Sequence, residues 1–159
     1  MEQPQSEARR ARMIGDGVYR YDLWRGGTRS ILWIMLNPST ANHVADDPTI
    51  RRVIRFSQRW GFGAIRAVNM YALRATDPNE LARHLDPIGP DNDRTIREAI
   101  AESDELMVAW GAHRMAARRE AFVRDARGMR PTYCLGLTAK GHPRHPLYVR
   151  GDVERVRWV

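Results

Sequence analysis

A chain of 159 residues with 43% hydrophobic and 28% charged residues has the size and make-up of one globular domain, which excludes disordered, collagenous and coiled-coil classes. Its longest unbroken apolar run is Ile31–Leu36 and residues 1–12 are polar, so neither a bilayer span of roughly 20 residues nor a signal peptide is expected, and the expectation is a cytoplasmic protein with no membrane partner. A single cysteine, Cys134, excludes an internal disulfide and a four-cysteine zinc or iron–sulfur site, while 26 basic against 19 acidic residues, a net +7, tilt the chain toward polyanionic partners.

Residues 1–16 read as a flexible or helical arm on a single domain spanning 1–159. Val18–Leu23 alternates and is followed by Gly26-Gly27, and the apolar run Ile31–Leu36 then has the character of a strand buried on both faces. The pattern predicts a hairpin feeding a core strand. Asp47-Pro48 places an N-cap before a first-turn proline, and Ile50, Val53, Ile54 and Trp60 recur at helical spacing until Gly61. Ala64–Tyr71 reads as the next strand, Asp77-Pro78 as the start of a short helix and Pro90–Ser103 as a longer one. A strand over Glu105–Trp110, a helix over Ala112–Arg127 and a strand over Thr132–Leu135 complete the chain. Strands alternating with helices predict an α/β three-layer sandwich. Its central sheet is mostly parallel, with about four strands plus an antiparallel N-terminal strand or hairpin.

Ligands of such sheets sit at the carboxyl ends of the strands, and each predicted strand end carries polar residues. The first runs into Asn37-Pro38-Ser39-Thr40 and the second contains Asn69 before Arg74-Ala75-Thr76-Asp77-Pro78. The third ends in Ala109-Trp110-Gly111, and the fourth precedes Lys140-Gly141-His142-Pro143-Arg144-His145-Pro146-Leu147-Tyr148. Turn and cap chemistry alone explains any one of these segments, whereas four on one rim point to a binding cleft. Asn37 offers an amide able to hold a water but far too weakly basic to deprotonate it. That suits a dissociative reaction such as cleavage of an N-glycosidic bond. Asn69 has the donor and acceptor needed to read a base edge, or is a buried amide satisfied by backbone. His145 can donate to negative charge developing on a departing base. Leu147 and Tyr148 are either a wedge for the gap left by a flipped base or core residues.

Arg51, Arg55 and Arg59 fall on one helix face, and Arg114, Arg118, Arg119, Arg124, Arg127 and Arg130 cluster later; a solvated face and a phosphate-binding face account for them equally. Of the 26 basic residues only Lys140 is lysine, a bias that reflects base composition first and the guanidinium fork's fit to phosphate second. Nucleotide-binding glycine motifs are absent. Ser39 lacks the glycines of a nucleophile elbow, and Cys134 falls within a strand. The two histidines lie on a proline-broken loop and Asp46, Asp47 and Asp77 read as helix caps, which disfavours a metal.

The motifs Leu36-Asn37-Pro38-Ser39-Thr40-Ala41, Asp47-Pro48-Thr49, Arg74-Ala75-Thr76-Asp77-Pro78, Asp86-Pro87-Ile88-Gly89-Pro90-Asp91-Asn92, Ala109-Trp110-Gly111 and His145-Pro146-Leu147-Tyr148 resemble an uncharacterised bacterial and phage-borne domain family over about residues 18–158. More distantly, the order of strand-end motifs is similar to that of the uracil-DNA glycosylase superfamily. That likeness implies a water-positioning role for Asn37, base reading by Asn69, Ala109-Trp110-Gly111 as the third strand end and His145-Pro146 as the closing loop. Met35 stands where the superfamily usually has glycine, and Leu147 replaces the small residue after His-Pro.

Together these readings give the expectation of a base glycosylase that needs no cofactor and acts on nucleic acid, DNA in preference to RNA, or on a nucleotide. Asn37 and His145 are its catalytic pair. Asn69, Trp110 and Ser39 hold the base, while Lys140, Arg144, Arg74 and Thr40 hold phosphates. The alternatives are a non-catalytic nucleotide or nucleic-acid binding module of the same fold and a metal-dependent hydrolase using Asp46, Asp47 and the histidines.

Overall fold

The structure, a computed structural model, describes residues 11–159, with side chains from residue 13 onward. Seven strands form one mixed sheet: β1 (Ala11–Gly15), β2 (Arg20–Gly26), β3 (Ser30–Met35), β4 (Ala64–Asn69), β5 (Glu105–Val108), β6 (Thr132–Cys134) and β7 (Val156–Arg157), in the order β1-β2-β4-β3-β5-β6-β7. β3 runs parallel to β4 and β5, and β5 runs parallel to β6, whereas β1, β2 and β7 are antiparallel to their neighbours. Every residue of β3 and β4 is buried, as the unbroken apolar run requires of strands covered on both faces. The pleat divides β3 between two cores. Ile31, Trp33 and Met35 pack with Ile50, Val53 and Phe56 of α1 (Pro48–Arg59). Leu32 and Ile34 pack with Ile96, Ala99 and Ile100 of α2 (Asn92–Glu102) and with Val123 of α4 (Glu120–Arg127). Among the described residues no helix is long and apolar enough to cross a membrane.

Four expectations from sequence change here. Among the described residues the sheet has seven strands rather than about four with an N-terminal strand or hairpin. It is mixed rather than mostly parallel, because β2 pairs directly with β4 and β7 adds an antiparallel edge, making three of the six pairings antiparallel. The hairpin into β3 does not form, because β2 and β3 lie on opposite sides of β4. Gly26-Gly27 is instead where the chain crosses the start of β4. Gly26 has φ +100°, and a Cβ on Gly63 would sit 2.6 Å from the Thr28 carbonyl oxygen, so the glycines let the two backbones pass. The antiparallel hairpin is β1–β2, which puts residues 11–15 of the expected arm into the sheet; residues 1–10 of that arm lie outside the described residues. The helix expected over 112–127 is broken into α3 (Arg114–Ala117) and α4, where buried Arg119 turns its guanidinium inward to the Met70 carbonyl at 3.0 Å and to Asp93.

A buried ion pair ties β2 to β4. Arg66 meets both carboxylate oxygens of Asp22, at 2.8 Å for the Nη2 contact, and Glu102 at the end of α2 at 2.6 Å. Removing one partner of such a pair leaves a charge without compensation. Asp22→Ala is expected to lower the unfolding free energy by about 3–5 kcal/mol, read from the midpoint of urea denaturation.

Candidate functional site

The chain passes from β3 to β4 by way of α1 and from β4 to β5 by way of α2, on opposite faces of the sheet. The carboxyl ends of β3 and β5 therefore open a crevice between diverging connections. A cleft of about 560 Å³ occupies it, within the range of small-molecule sites. Backbone bonds continue past the strands and zip their loops together, from Met70 N–H to Met35 O at 2.8 Å, Tyr71 N–H to Leu36 O at 3.0 Å and Ala75 N–H to Pro38 O at 3.0 Å.

Asn37 is oriented by that zipper. Its Nδ2 donates to Ala75 O at 2.8 Å and Pro38 O at 3.1 Å, so both amide hydrogens are engaged and the side chain offers the cleft its Oδ1 acceptor. Donation from this amide to a ligand is therefore closed. Asn69, opposite Met35 in the parallel register, differs. Its backbone is fixed by Asn92, whose Nδ2 donates to Asn69 O and Met70 O. Its side chain is 1% exposed, lines the cleft, and has no partner at either Nδ2 or Oδ1. The alternative of an amide satisfied by backbone is not what the fold provides. A polar group buried without partners costs about 1–3 kcal/mol, and the cleft supplies the reason for tolerating it.

His145 comes to the same cleft from the far side of the sheet. Gly111, at φ +78°, donates its N–H to Pro143 O at 2.9 Å, and a Cβ there would lie 3.3 Å from His145 Cβ, so glycine after Trp110 is what lets the loop close against β5. From α1, Arg52 reaches the same loop through Pro146 O at 3.2 Å and Val149 O. The His145 Nδ1 accepts from Leu147 N–H at 3.2 Å, which places the proton of a neutral ring on Nε2. Burial holds its pKa below the ordinary 6.5, with the Asp47 carboxylate pulling the other way. Asp47 itself caps Ile50 N–H at 2.9 Å and accepts Ala41 N–H at 3.2 Å.

The family described as "Protein of unknown function (DUF1643)" matches residues 20–147. The chain belongs to that family. No curated protein and no solved structure matches the chain, and the likeness to the uracil-DNA glycosylase superfamily is not confirmed by these comparisons.

Within this DUF1643 domain the remaining residues singled out from sequence divide in two. Ser39, Thr40, Trp110, Arg144, Leu147 and Tyr148 line the cleft. Trp110 is a buried wall set edge-on to Trp158 at 5.3 Å, with its Nε1 unpartnered, while Leu147 (43% exposed) and Tyr148 (80%) stand at the rim and are not core. Lys140 is exposed and Arg74 is tied to Asp16 O and Met13 Sδ, both at 2.9 Å; neither lines the cleft. Asp46 pairs with Arg25, and among the described residues no three His, Cys, Asp or Glu side chains gather as a metal site.

Sequence reading missed two lining residues of consequence. His113 caps α3 through Nδ1 and meets Asn79 Oδ1 through Nε2 at 3.1 Å. Arg20, at the start of β2, is 2% exposed and donates to Ala41 O at 3.1 Å, with Nε unpartnered. Burial pulls its pKa down to about 10, against the raising effect of Asp47, so it stays charged at neutral pH. Nothing in an alternating strand marked it as part of a site.

Two outcomes test this geometry without an assay of function. Asn69→Leu, close in volume, is expected to leave stability unchanged or raise it by about 1–3 kcal/mol in urea denaturation, whereas an amide serving the fold would lose stability. Because burial favours the neutral ring, the His145 resonances should titrate with a midpoint below 6.5 in an NMR pH series. By linkage, the folded state binds this proton less readily than the unfolded chain, so His145 favours folding above pH 6.5 and that contribution is lost as the pH falls.

Proposed function

We propose that this cleft receives a nucleobase and hydrolyses its N-glycosidic bond. The observation that carries the reading is the Asn69 amide, buried at a strand end with donor and acceptor both unused, the pair required to read one base edge. Asn37 and His145 then take complementary roles. Asn37 Oδ1, oriented by Pro38 and Ala75, accepts a hydrogen bond from a water and aims its oxygen at C1′. The neutral His145 ring presents Nε2–H to the departing base. The C1′–N bond breaks with its electron pair moving to the base, the water oxygen bonds C1′, and the water proton passes to solvent. An oxocarbenium-like sugar needs no strong base, which matches the weak acceptor at Asn37. The His145 donor meets charge where it develops.

The test is incubation of the purified protein with single- and double-stranded oligonucleotides and with nucleotides carrying uracil, hypoxanthine or 5-substituted pyrimidines, scoring free base. Asn37→Ala is expected to lower release about 100-fold or more while leaving substrate affinity within a few fold. Binding by the wild-type protein with no release of any base would replace the hydrolase with a non-catalytic reader.

A further inference from the structure

Three arginines of the described chain are buried: Arg20, Arg66 and Arg119. Two show how this fold satisfies an interior guanidinium. Arg66 has Asp22 and Glu102, and Arg119 has Asp93 and the Met70 carbonyl. Arg20 is the most deeply buried, yet among the described residues it forms no ion pair, makes one hydrogen bond to Ala41 O and leaves Nε unpartnered. It is also the one of the three that lines the cleft. One carbonyl contact does not offset the burial of a charge, so a structural role leaves its placement unexplained.

The surroundings of Arg20 supply further donors. The hydroxyls of Ser39, Thr40 and Thr49 line the same cleft and have no hydrogen-bond partner among the described residues. Thr49 lies in the first turn of the twelve-residue α1, where Pro48 has no N–H and Asp47 takes the amides of Ile50 and Arg51, leaving the Thr49 amide at the positive end of the helix. Asp47 has each carboxylate oxygen engaged by a backbone amide. It moderates the Arg20 charge at a distance without satisfying its fork.

We infer that Arg20, the Ser39 and Thr40 hydroxyls and the start of α1 form a phosphate subsite inside the cleft, built for a phosphate monoester. The inference rests on reading the cleft as a nucleotide site and narrows its substrate to a 5′-monophosphate. A diester must continue in two directions and suits a rim, whereas a guanidinium 2% exposed at the cleft floor suits a group attached on one side only. Arginine offers such a group two parallel donors where lysine offers a single point charge.

Calorimetric titration of the full chain with the 5′-monophosphates of the four common deoxynucleosides and with the matching nucleosides tests this directly. A trinucleotide with and without a 5′-phosphate separates a free nucleotide from a strand end. The monophosphate is expected to bind at least about tenfold more tightly than its nucleoside. Arg20→Lys should reduce that advantage and Arg20→Met abolish it, with the nucleoside affinity unchanged in each folded variant. The comparison within the wild-type protein stands even where a variant does not fold. Nucleosides that bind as well as monophosphates and lose affinity in Asn69→Ala would overturn the phosphate subsite and leave base reading intact. No binding of either class by the folded protein would overturn both.

Discussion

The cleft depends on what one carboxylate does at the entrance to α1. Asp47 holds the Ile50 amide with one oxygen and the Ala41 amide with the other, so the helix start and the loop descending from β3 are fixed to the same group. Ala41 in turn gives its carbonyl to Arg20. The Asp47 charge acts on both Arg20 and His145, raising the proton affinity of each against the opposite pull of burial. A cap that sequence marks as an ordinary helix start thus also holds, through Ala41, the carbonyl that Arg20 meets on β2, and its charge opposes the effect of burial on Arg20 and on His145 in the loop before β7.

What Asp47 does for one side of the cleft, strand register does for the other. Parallel pairing aligns Met35 with Asn69 and Ile34 with Val108, and the backbone bonds that follow carry the alignment into the loops. Asn37 and Asn69 consequently arrive as neighbours with opposite fates. One amide is fully oriented by carbonyls and the other is left without a partner. A fold selected for stability alone would treat both alike, since a partnerless buried amide is among the more costly things a core can contain. The asymmetry divides labour between holding and reading.

Much of this was legible because strand ends of parallel sheets are where ligands bind. Asn37, Asn69, Trp110 and His145 each follow or end an apolar run, and all four line the cleft. Arg20 and Arg52 were not legible. Each sits in a pattern that reads as amphipathic surface, and only the tertiary path shows that Arg20 is buried beneath the Asn37–Ala41 segment while Arg52 grips the His145 loop. The misplaced hairpin has a similar origin. Gly26-Gly27 signals a turn, and nothing local states that the returning chain must pass over Gly63 to reach the far side of β4.

The arginine surplus also changes meaning once the chain is folded. Arg25 donates to Trp24, Asn42 and Ala45 carbonyls, and Arg130 to those of Ile100, Ser103 and Asp104. The segment after residue 148 contains only the two-residue β7, and it is gripped by Arg52, Arg59, Arg124 and Arg127 through backbone oxygens. A planar fork reaches two carbonyls at once, which an ammonium group does less well, so loops with little regular structure are secured by arginine where a longer strand would otherwise serve. Carbonyls accept these bonds without neutralising the cation, although Arg25, Arg59 and Arg124 also pair with Asp46, Glu154 and Glu120. The net charge of +7 is thus carried in large part by side chains committed to architecture. The case for a ligand accordingly rests less on net charge than on Arg20, the buried guanidinium whose fork the fold leaves largely unused.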